Sequence, residues 1–272
     1  MEKEVRRIKK IMRLLKRMNF PKWLHHFGPK TYEFYEHLVA LLMRIYCRLS
    51  YRRLVDQFNW FGIRCPSKSA LQYTAKKLSS TFWNKVLEIT CGSSYLTAID
   101  STGLSRTNPS YHYLKRINGC IPKKYVKLSV AFDTKKKKFH SARIRVLPRH
   151  DSLDARYLIA SSQPQVVVAD KAYSSEKLYA FCEEKDILFM SPKKKGTFRG
   201  HCRNKMMKRF RTRTYNRRVL VEASFSALKR KFGASVSSRS VRTIRTEVYG
   251  RLVCHNLFGC LYRLLGQSLL FR

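Results

Sequence analysis

Acidic residues are scarce in this chain: 17 Asp and Glu stand against 57 Lys and Arg in 272 residues, a formal net charge of +40. A compact protein with so few acids repels itself, and its natural partner is a polyanion. Nucleic acid leads that class, with an anionic membrane surface second. Also missing is any apolar run near the roughly 18 to 20 residues that span a bilayer. The longest, Leu38 to Met43, stops at Arg44. The opening stretch MEKEVRRIKKIMRLLKRM has no uncharged hydrophobic region, which argues against a secretory leader. It reads as a basic amphipathic helix with Val5, Ile8, Met12 and Leu15 on one face. Such a helix can pack on its own domain, lie on a membrane or follow a phosphate backbone. A membrane role accounts only for the charge of this stretch, whereas the basic excess continues to the C-terminus, so no membrane partner is expected. The eight cysteines include no Cys-x-x-Cys pair and no disulfide-like spacing. Reduced thiols in a cytoplasmic, nucleoid-associated protein are the simplest account. His201 with Cys202 and Cys254 with His255 are adjacent pairs, which is not zinc-finger spacing.

What is present suffices for a core: apolar residues make up 44% and aromatics 12%, so the chain is not a disordered basic tail. Up to residue 92 the apolar spacing is helical. Thr31 to Leu49 carries Phe34, Leu38, Leu41, Leu42 and Tyr46 at helical intervals. SYRRLVDQF, a short GIRCPS connection and KSALQYTAKKL follow, with Ser50 and Ser67 as N-caps. That spacing is compatible with a helix-turn-helix whose second helix, near Lys68 to Leu78, enters a major groove, although helical hairpins of this size also occur in proteins that bind no DNA. From Tyr95 the period changes. YLTAID is a short apolar run, YVKLSVAFD alternates, and KFHSARIRVL alternates again after DTKKKK, a hairpin signal. Then come a helix over Ser152 to Ser162, the buried strand QVVVAD, a helix capped by Ser174 or Ser175, the strand ILFMSP, and a basic loop from Lys193 to Thr214. A last amphipathic helix is expected from Val241 to Leu265. Three meandering strands followed by strands reached through helical crossovers describe an α/β fold, an RNase H-like mixed sheet flanked by helices. The expected division is an all-helical N-terminal DNA-binding domain over 1–92 and a catalytic domain over 93–272.

Two of the few acids end the most apolar strands, Asp100 in YLTAID and Asp170 in VVVAD, where an α/β sheet presents its site. In an RNase H-like order the first and fourth strands are neighbours, which brings these two together. Asp133 also ends a strand but precedes the lysine run and reads as a turn residue. His150 and Asp151 lie in the loop after the third strand, able to approach the same site. Alternatively, Asp151 or Ser152 caps the following helix. A third acid is set by spacing: at 100° per residue Tyr215, Arg218, Glu222 and Lys229 point to roughly 0°, −60°, −20° and −40°, one helix face. Val221, Phe225, Leu228 and Phe232 form a second stripe suited to packing on a sheet. Either Glu222 pairs with Arg218 as an ordinary charged rim, or it joins Asp100 and Asp170. Three carboxylates so placed repel one another unless cations sit between them. Hard oxygen ligands suit Mg²⁺ or Mn²⁺, two ions acting together on a phosphodiester. Lys171 and Tyr173, just past Asp170, are placed to steer phosphate.

In these residues the chain resembles the DDE-type insertion-sequence transposases that carry the Tyr-Arg-Glu-Lys signature, Y-x2-R-x3-E-x6-K. The signature stands intact in YNRRVLVEASFSALK, Tyr215 to Lys229, and AIDSTGL, RHDS and VVADKAYSS look like that family's other blocks. The resemblance spans about residues 95 to 260. It implies a metal-binding triad of Asp100, Asp170 and Glu222 holding two divalent ions. It also implies DNA-backbone contacts by Tyr215, Arg218 and Lys229, with the element's terminal inverted repeats and target DNA as substrates and a homo-oligomer as the working form. The activity implied is an endonuclease cut at the element ends and 3′-hydroxyl strand transfer. The alternatives are a non-catalytic DNA-binding remnant and an RNase H-like nuclease without strand transfer.

Overall fold

The computed structural model describes residues 2–24, 30–106, 116, 125–147, 150–194, 196 and 199–259. The chain divides into two compact units, 1–90 with 238–272, and 91–237.

The first unit is helical: α1 (Glu2–Met18), α2 (Phe34–Cys47), α3 (Tyr51–Trp60), α4 (Lys68–Lys77), α5 (Ser80–Cys91) and, from the other end of the chain, α11 (Val241–Phe258). In α1, Ile11, Leu14, Leu15 and Met18 are buried while Arg13, Lys16 and Arg17 face water. The side chains of Val5 and Ile8 lie outside the described residues. Ser50 Oγ accepts from the Arg53 amide at 3.2 Å and Ser67 Oγ from the Ala70 amide at 3.3 Å, caps worth about 1 kcal/mol each. The expected helix, turn and helix is therefore formed as α3 and α4. The expected domain division differs at one point: α11 groups with the N-terminal helices, not with the sheet. The reason is its composition. Ile244, Val248, Leu252 and Phe258 are buried on one side and Tyr249, Val253 and Leu257 on the other, and a helix apolar on most of its circumference needs neighbours all round. It packs on α2 and α4, and Gly250 leaves room for the Ile45 side chain of α2. Residues 260–265 of the helix expected to reach Leu265 lie outside the described residues.

The second unit is a mixed sheet with helices. In chain order it comprises β1 (Leu96–Arg106), β2 (Tyr125–Asp133), β3 (Lys138–Arg145), α6 (Ser152–Ser162), β4 (Val166–Ala169), α7 (Glu176–Glu184), β5 (Leu188–Met190), α8 (His201–Met207), α9 (Thr212–Tyr215), α10 (Val219–Phe232) and β6 (Ser235–Val236). The strands lie in the order β3-β2-β1-β4-β5. β2 is antiparallel to β1 and β3, whereas β4 is parallel to β1 and β5 to β4. This is the RNase H-like arrangement. Asp133 is the hairpin turn residue, its carboxylate accepting from the Lys135 and Lys136 amides at 2.8 and 2.6 Å. A core of Ile99, Leu158, Ile159, Val167, Tyr179 and Phe189 joins the sheet to α6 and α7. Val221, Phe225, Leu228 and Phe232 of α10 are buried as the spacing required, with the Phe225 ring stacked on Phe139 at 6.4 Å. The stretch from Lys193 to Thr214 is not a plain loop, for α8 and the start of α9 fall within it.

Candidate active site

β1 outruns its neighbour. It pairs in register with β4 from Leu96–Val166 to Ile99–Ala169, and β4 then ends while β1 continues to Arg106 against β2. Asp100 therefore stands in the middle of a strand, not at its end as expected, but beside the end of β4 and so beside Asp170. The opening left by β4 is approached by the 3-10 turn Asn216–Arg218, which contacts both β1 and β4. Because that turn interrupts the helical run before α10, the stripe from Tyr215 to Lys229 is not one continuous α-helix. The interruption brings Arg218 onto the sheet.

Arg218 is the centre of the cluster. One guanidinium nitrogen lies 3.5 Å from Asp100 Oδ2 and 2.7 Å from Glu222 Oε1. The rim pairing thus exists, and the same cation also serves the sheet carboxylate. Asp100 is mostly buried, its side chain 18% exposed, whereas Glu222 keeps 49%. Burial pushes the Asp100 carboxyl above its ordinary range; the Ser101 amide and Arg218 pull it down, and Glu222 and Asp170 push it up again. Asp100 thus feels the charge of both other acids. Asp170 is fixed through its backbone, its carbonyl accepting from Ser191 Oγ at 2.8 Å and from the Tyr173 amide at 3.0 Å.

The raised Asp100 value carries a sign. A carboxyl whose pKa is higher in the folded state contributes most to stability below its unfolded value, about 3.9, and loses that contribution as pH rises through the folded value. At neutral pH, without divalent cations, ionised Asp100 is a cost to the fold. Asp100→Asn should therefore raise the melting temperature at pH 7 in EDTA, and the gain should shrink on acidification. Calorimetry across that pH range checks this; a lower melting temperature for the variant at pH 7 would mean that Arg218 outweighs burial.

Among the described residues no group of three or more His, Cys, Asp or Glu is gathered closely enough to hold a metal ion as it stands. The donor chemistry nevertheless fits a hard divalent cation: three carboxylates, all oxygen ligands, partly open to water. Arg218 is the cation now standing between two of them.

The remaining expected residues fall differently. Lys171 is exposed just past Asp170. Tyr173, expected to face phosphate, is 1% exposed and packs in the core; burial is the main reason its hydroxyl pKa is raised. Tyr215 is half-buried, its ring 5.3 Å from that of Phe210. Lys229 lies two turns beyond Glu222, half-exposed. In the helical unit Lys68 begins α4, whose exposed side also carries Gln72, Tyr73, Lys76 and Lys77 and no acid. Trp60, the last residue of α3, is 87% exposed, a prominence that the apolar spacing did not single out.

The strand order and register define an RNase H-like domain. The chain belongs to the transposase DDE domain family, which matches residues 92–257, more than half of its length. No curated protein sequence matches it. Among solved structures it is similar to the piggyBac transposase in a synaptic complex with hairpin DNA, at 9% identity and a TM-score of 0.43, over 92% of this chain and 72% of that one. The fold assignment rests on strand order and register, not on that likeness. No described helix is long and apolar enough to cross a membrane.

Proposed function

We propose that this transposase cuts DNA at the ends of an insertion sequence and joins the freed 3′-hydroxyl to target DNA, and that Asp100, Asp170 and Glu222 hold two Mg²⁺ or Mn²⁺ ions. The observation that carries the reading is that Arg218 pairs with both Asp100 and Glu222 beside the end of β4, the strand that Asp170 follows. Bound there, the ions would activate water or a 3′-hydroxyl and stabilise the leaving oxygen. The protein's own residues do the positioning. Asp100 is held by strand pairing on one side and by the Ser101 amide at 2.8 Å. Arg218, which here pairs with Asp100 and Glu222, would be free to make a bidentate contact with the DNA backbone if divalent ions held those carboxylates. Tyr215 and Lys229 complete the Tyr-Arg-Glu-Lys group on that backbone, and exposed Lys171 adds a phosphate contact. α4, with Lys68 and an acid-free exposed face, would serve end recognition with α3 packed beside it, and a homo-oligomer would bring two ends together.

The test is to incubate the protein with labelled duplex carrying the element's end sequence and a second target duplex, with Mg²⁺, Mn²⁺ or EDTA. Metal-dependent cleavage with joined products is expected. Cleavage without joining would reassign the protein as a nuclease, and binding without cleavage as a DNA-binding remnant.

A further inference from the structure

The His-Asp-Ser stretch after β3 is not absorbed by the site above, and capping does not explain it. Asp151 has helical angles, φ −61° and ψ −38°, and its side chain caps nothing. His150 is engaged locally, its Nδ1 2.8 Å from Ser152 Oγ. The Asp151 carboxylate instead reaches across the sheet. Ser101 Oγ donates to its Oδ1 at 3.0 Å, and Lys127 of β2 forms an ion pair with the same oxygen. Ser101 is the residue after Asp100, and its amide donates to Asp100 Oδ1 at 2.8 Å. Successive side chains in a strand point to opposite faces. Ser101 is therefore gripped from the α6 side of the sheet while its backbone holds the carboxylate on the α10 side. Tyr173, buried in the 3-10 turn Lys171–Tyr173, lies within the field of Asp151 and Asp100.

A cap would have used the Asp151 carboxylate on α6's own amides. Spending it on a residue 50 positions away, next to the mostly buried Asp100, orients that residue's peptide. Lys127, whose side chain is only 13% exposed, supplies the charge that keeps the carboxylate there.

We propose that Asp151 is a positioning residue for the Asp100 carboxylate, acting through the Ser101 hydroxyl with Lys127 as its counter-ion. Its consequence for cation binding rests on the reading of Asp100 as a ligand; the bracket itself does not. Partners of this kind are worth about 10- to 100-fold in metal affinity.

The test compares Asp151→Ala, Ser101→Ala, their double variant and Ser101→Thr with the wild type by two readouts. The first is the amide proton shift of residue 101 in metal-free protein, which reports its bond to Asp100. The second is Mn²⁺ affinity from the paramagnetic resonance of free Mn²⁺. Asp151→Ala should move the residue 101 amide toward a weaker hydrogen bond and weaken Mn²⁺ binding about 10- to 100-fold, with duplex affinity unchanged. Ser101→Ala should weaken Mn²⁺ binding equally, the double variant should be no worse than either single one, and Ser101→Thr, which keeps the hydroxyl, should stay near wild type. An unmoved amide in folded Asp151→Ala, or single effects that add, overturns the proposal. Should Asp151→Ala fail to fold, Ser101→Ala against Ser101→Thr decides it from the other end of the same bond. If Asp100→Asn binds Mn²⁺ as tightly as the wild type, the ligand reading fails instead, and the amide shift still decides the role of Asp151.

Discussion

Replacing Asp100 by Ala is expected to lower metal-dependent DNA cleavage by on the order of 10³-fold or more, with Glu222→Ala close behind. Duplex affinity at fixed salt should stay within about twofold. The two terms separate because the acids are not phosphate contacts: removing one negative charge from a chain of net charge +40 takes nothing away from its attraction to DNA. The order follows from how each carboxylate is held. Asp100 is fixed within a paired strand and by the Ser101 amide, so no neighbouring group can take its place. Glu222 stands on the first turn of α10 with half of its side chain in water, so a bound water can partly substitute for it. Cleavage rates and filter-binding isotherms on one labelled duplex measure both terms. Cutting at the wild-type rate by the Asp100 variant would remove it from the catalytic set.

The second large effect is expected from salt. If the protein covers some 6 to 10 phosphates, raising salt from 50 to 200 mM lowers duplex affinity by about 10³- to 10⁵-fold. Single substitutions locate the contacts: Lys68→Ala and Lys171→Ala, both exposed, should each reduce the slope of log affinity against log salt by about 1. Tyr173→Phe should leave the slope unchanged, since that side chain is 1% exposed. A slope that Lys68→Ala does not alter would place the DNA away from α4. A slope near zero for the wild type would remove nucleic acid as the partner of the basic surface.

Much of the fold was legible because its elements are local. The two helices capped by Ser50 and Ser67, the lysine hairpin turned by Asp133 and the buried Val166–Ala169 strand each follow from a few neighbouring residues and the period of their apolar positions. Asp100 and Asp170 could be paired from sequence because strand order follows from the sequence of hairpin and crossover connections. Tyr173 was misread for the opposite reason. A tyrosine next to a site acid looks the same whether its ring faces water or the core, and only packing against α6 and α7 distinguishes the two. The packing of α11 on the N-terminal helices was likewise not legible, for an apolar helix does not carry the address of the unit that buries it.

The sequence by itself determined the basic charge of the chain and its mixed α/β order, since charge and apolar period are properties of the chain. Tertiary structure alone decided that β1 runs past β4, that a 3-10 turn brings Arg218 onto Asp100 and Glu222, and that Asp151 reaches Ser101 and not its own helix. Those contacts join residues from 4 to more than 100 positions apart, and their geometry depends on where strands end and how helices pack, which no local pattern encodes.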